Sequence, residues 1–380
     1  MFTTKPVACV VVISDLVTDQ RVLKTCNLLV KQGYTVHLIG RETPQALPLN
    51  TTWPFNAKRI KIPFSKGPLM YICFAWALAL HLQRIKPQLV IANDLDTLWP
   101  SIIAKRKWGS YVIYDSHEYF CEVPELQHRP FKKAIWKMLE RRLIHKTDAR
   151  ITVSDSIAKA YAAEYNLTFN IVRNVPESNT DGAHLKPRAA LGMPESQTIL
   201  ILQGSGINPG RGAEELIKAM YELPEMVLYI IGSGDSWQNI LNLASDKTLK
   251  NRVRCISRIS KTELQSYTAA ADIGISIDKP TNLNYKYSLP NKIFDYLQAG
   301  LPVLVSRIPE LENLLNEFPC GVFIENHNPR HIAEQIKILA HHPNLDQFKM
   351  QSKRAAQKYT WNTEQEVWLK LLSAVKYNNM

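Results

Sequence analysis

The residues best suited to chemistry lie at two loop–helix junctions in the C-terminal half. In LILQGSGINPGRGAEELIKAM, Ile199–Leu202 reads as a strand entering a loop with Gly204, Gly206, Gly210 and Gly212, and a helix begins near Ala213. Glycines let a backbone approach a phosphate, and a helix start offers free N–H groups and the positive end of a dipole. Arg211 stands where its planar fork can clamp a diphosphate. The spacing is not G-x-G-x-x-G followed by an acid, and no Walker lysine is present, so dinucleotide and P-loop chemistry fit poorly.

The second junction is NYKYSLPNKIFDYLQAGLPVLVS. Ser288 reads as an N-cap and Pro290 as a first-turn residue, where a missing N–H costs nothing. The helix buries Ile293, Phe294 and Leu297 and ends at Gly300. The N–H groups of Asn291 and Lys292 form a second anion site, and Asp295, one turn on, suits a ribose diol.

In the first half, DSHEYFCEVPEL follows a strand at Tyr111–Tyr114, which carries Asp115, His117, Glu118 and Glu122 toward a sheet edge. Asp94 and Asp96 follow the strand Leu89–Ala92 in the same way. Asp15 and Asp19, in SDLVTDQ, lie close to the first helix start, where they repel phosphate and use the positive end themselves. Neither acidic cluster has metal-ligand spacing, and Arg, Lys and helix ends can meet diphosphate charge. The expectation is no catalytic metal and no cofactor.

Short β-branched runs alternate with helical periodicity throughout. They are Ala8–Ile13, Thr35–Ile39, Leu89–Ala92, Tyr111–Tyr114 and Ala149–Val153, then Ile199–Leu202, Val227–Ile231, Val253–Ile256, Ile273–Ile277, Val303–Ser306 and Val322–Ile324. Runs buried on both faces and separated by helices imply parallel sheets. A length of 380 residues suits two α/β domains. A Pro-, Asn- and Ser-rich stretch at 176–195 divides residues 1–175 from 196–359, and a last helix, Thr363–Val375 within 360–380, could join either domain. The expected class is therefore α/β, two Rossmann-like doubly wound parallel-sheet domains facing across a cleft, with ligands at the carboxyl ends of the strands.

Six scattered cysteines without a C-x-x-C pair fit a reduced compartment. The first apolar run is too short for a signal segment, and Leu69–Leu80 is shorter than the ~20 residues of a spanning helix. It reads as buried or interfacial. Net charge is +12, and residues 1–175 hold 24 Lys+Arg against 13 Asp+Glu. That half should meet something anionic.

Taken in order, DQRVLKTCNLLVKQGYTVHLIG, ANDLDTL, YDSHEYF, ARITVSDSIA, QGSGINPGRG, IIGSG and SLPNKIFDYLQAGLPVLVS cover nearly the whole chain. Together they resemble family 4 of the retaining glycosyltransferases, with the GT-B fold, and in particular a bacterial branch with an SLPNK-type motif. The resemblance implies transfer of a sugar, with retained configuration, from a UDP- or GDP-linked donor to a glycan or lipid-linked acceptor in cell-surface polysaccharide or glycolipid synthesis. It implies catalytic roles for His117, Arg211 and Lys292. The implied donor site takes in Gly204, Ser205, Gly206, Gly210, Gly212, Gly232, Ser288, Leu289, Pro290, Asn291 and Asp295, with Asp15, Asp19, Asp94 and Glu118 on the acceptor side. Asp295 matches the second acid of the family's Glu-x7-Glu signature. The first acid is Tyr287 here, and the first of two basic loop residues is Ser205, a missing charge that Lys292 or Lys286 can restore. A sugar-nucleotide epimerase-like GT-B enzyme is the alternative within enzymes, and these departures keep open an inactive binding subunit.

The segment HRPFKKAIWKMLERRLIHKTD reads as a basic amphipathic helix with Phe131, Ile135, Met138, Leu139 and Leu143 toward one side. Such a helix suits an anionic membrane surface as well as it suits packing on a sheet. Nucleic acid is not expected, because no aromatic stacking platform is interleaved with the cations. The implied location is cytoplasmic, peripheral at the inner membrane face.

Overall fold

A computed structural model describes residues 5–43, 46–177 and 185–377. Residues Met1–Asn174 and Gln365–Met380 form one compact unit, and Val175–Glu364 form the other.

The N-terminal unit holds strands β1 (Val7–Val11), β2 (Thr35–Arg41), β3 (Asn56–Ile60), β4 (Leu89–Asn93), β5 (Tyr111–Ser116), β6 (Ala149–Thr152) and β7 (Asn170–Ile171). Its helices are α1 (Gln20–Lys31), α2 (Pro68–Ile85), α3 (Leu98–Trp108), α4 (Pro124–Gln127), α5 (Pro130–Leu143) and α6 (Asp155–Tyr165). The strands pair in parallel in the order β3-β2-β1-β4-β5-β6-β7. Every residue of β4 is buried, which is why central strands read as unbroken apolar runs. The edge strands β3 and β7 left no such run, since β3 is the half-exposed segment NAKRI and β7 has two residues.

The second unit holds β8 (Thr198–Gly204), β9 (Met226–Gly232), β10 (Val253–Ser257), β11 (Ile273–Ser276), β12 (Val303–Ser306) and β13 (Gly321–Ile324). Its helices begin with α7 (Ala213–Ala219), α8 (Trp237–Ala244), α9 (Lys261–Ala270), α10 (Leu283–Tyr287) and α11 (Asn291–Ala299). They continue with α12 (Pro309–Glu317), α13 (Pro329–Ala340), α14 (Leu345–Lys358) and α15 (Trp361–Tyr377), the last crossing into the segment grouped with the first unit. This sheet is also parallel, in the order β10-β9-β8-β11-β12-β13. In both sheets the winding direction reverses beside the first strand, between β1 and β4 and between β8 and β11. Ligands of doubly wound sheets bind at such switch points.

Three features bear on the sequence expectations. Of the expected linker, residues 178–184 lie outside the described residues, while Arg188 is tied into the second unit by Ala270 O at 2.8 Å and Asp272 at 2.8 Å. Helix α2 runs beyond the apolar stretch to 18 residues and has the length and composition of a spanning helix. It nevertheless buries Met70, Phe74, Leu78 and Leu82 within the unit, where it packs on α3 and β3. Helix α5, which suited a membrane surface and a sheet equally, leaves the first part of its apolar stripe in solvent and buries only Leu143 at its end. Phe131 is 78% exposed, with Ile135 and Met138 also exposed, whereas Glu140 is fully buried. The inward face is claimed by polar partners. Tyr165 donates to Glu140 at 2.5 Å, and Lys133 and Lys137 pair with Glu122 and Glu164.

Glycine is demanded along the second sheet's carboxyl edge, at Gly212, Gly232 and Gly234. Gly212 has φ +77, and a Cβ there would lie 2.4 Å from Ile277 O. At Gly232 a Cβ would lie 1.8 Å from Gly204 O. At Gly206 a Cβ would make only an ordinary contact, 3.9 Å from Asn208 Nδ2, so there is no such constraint. Gly212→Ala should therefore lower stability by about 2–4 kcal/mol, through left-handed strain and the backbone clash, while Gly206→Ala changes it by less than about 1 kcal/mol. Urea unfolding of the two variants beside the parent protein checks this contrast.

Candidate functional site

At the switch point of the second sheet, the loop after β8 and the segment after β11 are joined by charge. Asp278 is 1% exposed and follows the carboxyl end of β11. Arg211 Nη1 donates to it at 3.0 Å and Lys292 Nζ at 3.3 Å. The Arg211 guanidinium also stacks on the Tyr285 ring, 4.0 Å from its centroid. One carboxylate thus holds two cations, which leaves a net positive charge fixed at the sheet edge. Burial lowers the Lys292 pKa, and neighbouring Arg211 lowers it further against the pull of Asp278. A second anion there would relieve that repulsion.

Helix α7 is a weaker anion site than its glycine loop suggests. It spans seven residues, and its first turn carries Glu214 and Glu215. Glu215 accepts from Lys279 at 2.5 Å. The acids draw on the same dipole end that a phosphate would use. In the loop, Ser205 is exposed and its carbonyl accepts from the Ser233 hydroxyl, Gly204 closes β8, and Gly210 O accepts from Lys279 N.

Helix α11 keeps its first turn open. The N-cap is Pro290, with no side-chain cap and no acid in the first turn. Ser288 is not the cap the sequence suggested. It closes α10, and its hydroxyl donates to Tyr285 O at 2.9 Å. Leu289 is half-buried, Pro290 enters the helix in an extended conformation, and Asn291 lies exposed at its start. Asp295, one turn on, accepts from the Gln203 amide at 2.9 Å, and the Gln203 carbonyl oxygen accepts from Thr268 at 2.7 Å. Gln203 therefore locks the orientation of Asp295. Lys286 is exposed over the Tyr287 ring, so of the two lysines considered it is Lys292 that joins Arg211.

Sequence reasoning missed Asp278, Gln203 and Tyr285. The available signal for Asp278 was its place directly after the apolar run ADIGISI, at a strand's carboxyl end.

The first sheet gathers a second charged group at its own switch point. His117 Nε2 lies 3.0 Å from Asn93 Oδ1 and 3.5 Å from Asp115, and its Nδ1 lies 3.6 Å from Asp94. Its backbone N–H donates to Asp94 at 2.9 Å. Asp94 has φ +59, a conformation an L-residue adopts only when its surroundings impose it, and such strain clusters at functional sites. Burial opposes charge on His117, but Asp94 and Asp115 outweigh it and raise the pKa to about 9.

Asp115 is not delivered to an edge as the sequence suggested. It is fully buried and held by a two-pronged pair with Arg21, at 2.6 and 3.0 Å. Burial alone would raise its pKa, yet Arg21 and His117 hold it at about 2. Burial and neighbouring Asp94 push Asp96 well above the ordinary carboxylate range, and its Oδ1 is buried with no hydrogen-bond partner.

Asp15 and Asp19 are occupied in shaping the β1–α1 loop. Asp15 pairs with Arg59 at 2.8 Å, and Asp19 caps α1 at Val22 N while accepting from Ser14. Glu118 is half-buried beside His117, and Glu122 is bound by Lys133. Among the described residues, no group of three or more His, Cys, Asp and Glu side chains could hold a metal ion.

A family model described as Glycosyltransferase Family 4 matches residues 19–176, and one described as Glycosyl transferases group 1 matches residues 188–359. D-inositol 3-phosphate glycosyltransferase of Nocardioides sp. is 25% identical over 223 residues, covering 52% of this chain and 47% of that protein. Chitobiosyldiphosphodolichol beta-mannosyltransferase of Debaryomyces hansenii is 20% identical over 261 residues, covering 60% and 53%. The chain spans about half the length of these curated relatives. Sucrose-phosphate synthase from Thermosynechococcus elongatus superposes with a TM-score of 0.79 at 16% identity, covering 97% of this chain and 100% of that one. Anabaena HepE in complex with UDP-glucose gives 0.73 at 15% identity, covering 97% and 99%. At such identity the likeness is one of fold, two Rossmann-like parallel-sheet domains of GT-B type.

The His117 cluster makes a pH prediction. A histidine raised to about 9 contributes stability that is full below its ordinary pKa and lost as pH rises through about 9. Asp115, held at about 2, contributes above the ordinary carboxylate pKa and loses that contribution as pH falls through about 2. NMR of the imidazole should show His117 still charged at pH 7.5, and Asp94→Asn should lower its titration midpoint by about one unit.

Proposed function

For a chain that belongs to the group 1 glycosyltransferases, we propose transfer of a sugar from a nucleoside-diphosphate donor held by the second domain. The observation that carries this reading is the pairing of Arg211 and Lys292 on buried Asp278, beside the uncapped start of α11. Two cations sharing one carboxylate present a net positive charge, and α11 offers backbone donors in the same stretch of chain as Lys292. Asp295, oriented by Gln203, accepts from a ribose diol. The donor is a UDP- or GDP-sugar.

In the proposed reaction, the bond between the anomeric carbon and the diphosphate oxygen breaks, and its electron pair leaves with the phosphate. The acceptor hydroxyl oxygen bonds to that carbon on the face the phosphate leaves, and its proton passes to the departing phosphate, so configuration is retained. Charge builds on the leaving group, so Arg211, Lys292 and the α11 N–H groups stabilise the transition state more than the ground state. His117, charged at neutral pH, serves as a hydrogen-bond donor in the transfer step and not as a base. The acceptor is a glycan or a lipid-linked glycan of cell-surface polysaccharide or glycolipid synthesis. No metal enters this scheme, because protein cations meet the diphosphate charge.

Calorimetric titration with UDP and GDP tests the donor site. Arg211→Ala should weaken nucleoside-diphosphate binding by about 10²-fold or more, as expected for a lost charge-assisted pair. Asp295→Ala should weaken nucleosides and nucleotides alike. Unchanged affinity in both variants would remove these residues from the donor site. His117→Ala should lower turnover while leaving nucleotide affinity intact, and donor breakdown without any acceptor would favour the epimerase-like reading instead.

A further inference from the structure

The outward faces of α2 and α5 are apolar where a solvated domain surface should be polar. On α2, Leu69, Ile72, Trp76 and Leu80 are each more than half exposed and form one stripe three turns long. On α5, Phe131, Ile135 and Met138 make a second stripe, in line with Arg142 at the next helical repeat. The two helices meet where the Tyr71 and Trp136 rings contact at 5.1 Å. Scattered exposed apolar residues are ordinary, but two adjoining helical stripes mark an interaction surface.

The charges around the stripes choose the partner. The exposed residues of α2 and α5 include Arg84, Lys132, Arg141 and Arg142 and no acid, and the one acid of α5, Glu140, is buried against Tyr165. Lys133 and Lys137 are spent on Glu122 and Glu164, so they face inward. A second copy of this chain would bring the same cations against these. Nucleic acid would find aliphatic side chains in place of stacking rings over most of the face.

We propose that the α2–α5 face docks on an anionic lipid bilayer, with Trp76, Leu80, Phe131 and Ile135 entering the headgroup–acyl boundary and Arg84, Lys132, Arg141 and Arg142 on the lipid phosphates. The proposal stands apart from the donor chemistry. It explains why α5 turns its apolar residues outward, and why α2 is longer and more apolar than its buried side requires. The apolar stripes supply depth and the cations supply attraction, which falls with salt.

Co-sedimentation with vesicles of about equal parts phosphatidylcholine and phosphatidylglycerol tests this, with pure phosphatidylcholine vesicles alongside. The full-length protein should bind the mixed vesicles at low salt, bind pure phosphatidylcholine weakly, and be released as salt rises. The paired substitutions Trp76→Ser with Leu80→Ser, and Phe131→Ser with Ile135→Ser, should each cut partitioning about tenfold. These side chains are exposed, so the variants should keep the parent's thermal midpoint. Absence of binding to the mixed vesicles at low salt overturns the proposal, as does binding that the four apolar substitutions leave unchanged. A dimer in light scattering that the same substitutions dissolve would assign the face to a second copy instead.

Discussion

Asp278 sits almost wholly out of water at the end of β11 and holds Arg211 and Lys292 at 3.0 and 3.3 Å. A carboxylate in that position must be paired, and pairing it with two cations fixes where both point. Arg211 comes from the loop after β8 and Lys292 from the first turn of α11. The ion triad therefore ties together three segments across the switch point of the sheet. The glycines support that arrangement. Gly212 lets the loop fold down on Ile277, the residue before Asp278.

The same rule shapes the first domain. There the buried acid is Asp115, and Arg21 takes both its oxygens while His117 Nε2 lies 3.5 Å from Oδ2. Asp94 closes the group, in a backbone conformation that costs roughly 1–3 kcal/mol and persists only because its neighbours hold it. The result is a charged imidazole with about 18% of its surface exposed, fixed at the carboxyl edge of a parallel sheet. Each domain thus presents one ordered polar group at its switch point. Arg211 and Lys292 add positive charge in one, and the acids of the other keep a histidine protonated.

Much of this was legible in the sequence, for identifiable reasons. Strands buried on both faces carry long apolar runs, so Leu89–Ala92, Ile199–Leu202 and Val227–Ile231 announced β4, β8 and β9, whereas the edge segments Asn56–Ile60 and Asn170–Ile171 had no such run. The loop with Arg211 and the helix with Asp295 were visible because glycine and proline restrict the backbone locally. Asp278 was harder to see, since its importance lies in partners 67 and 14 residues away. Ser288 misled because serine before a proline reads as a cap, while its hydroxyl was already committed to Tyr285 O. For helix α5 the sequence left both faces open. Periodicity shows which residues share a face, but the buried partners Tyr165, Glu122 and Glu164 decide which face turns inward.

The central claim is that the second domain is built to hold a nucleoside diphosphate. A thermal-denaturation series with UDP, GDP, ADP and CDP against the unliganded protein tests it most directly, because a ligand that binds only the folded state raises stability by mass action. UDP or GDP, at about a hundredfold excess over its Kd, should raise the midpoint by about 5 °C, with ADP and CDP well behind. A midpoint that none of the four nucleotides moves would contradict the account.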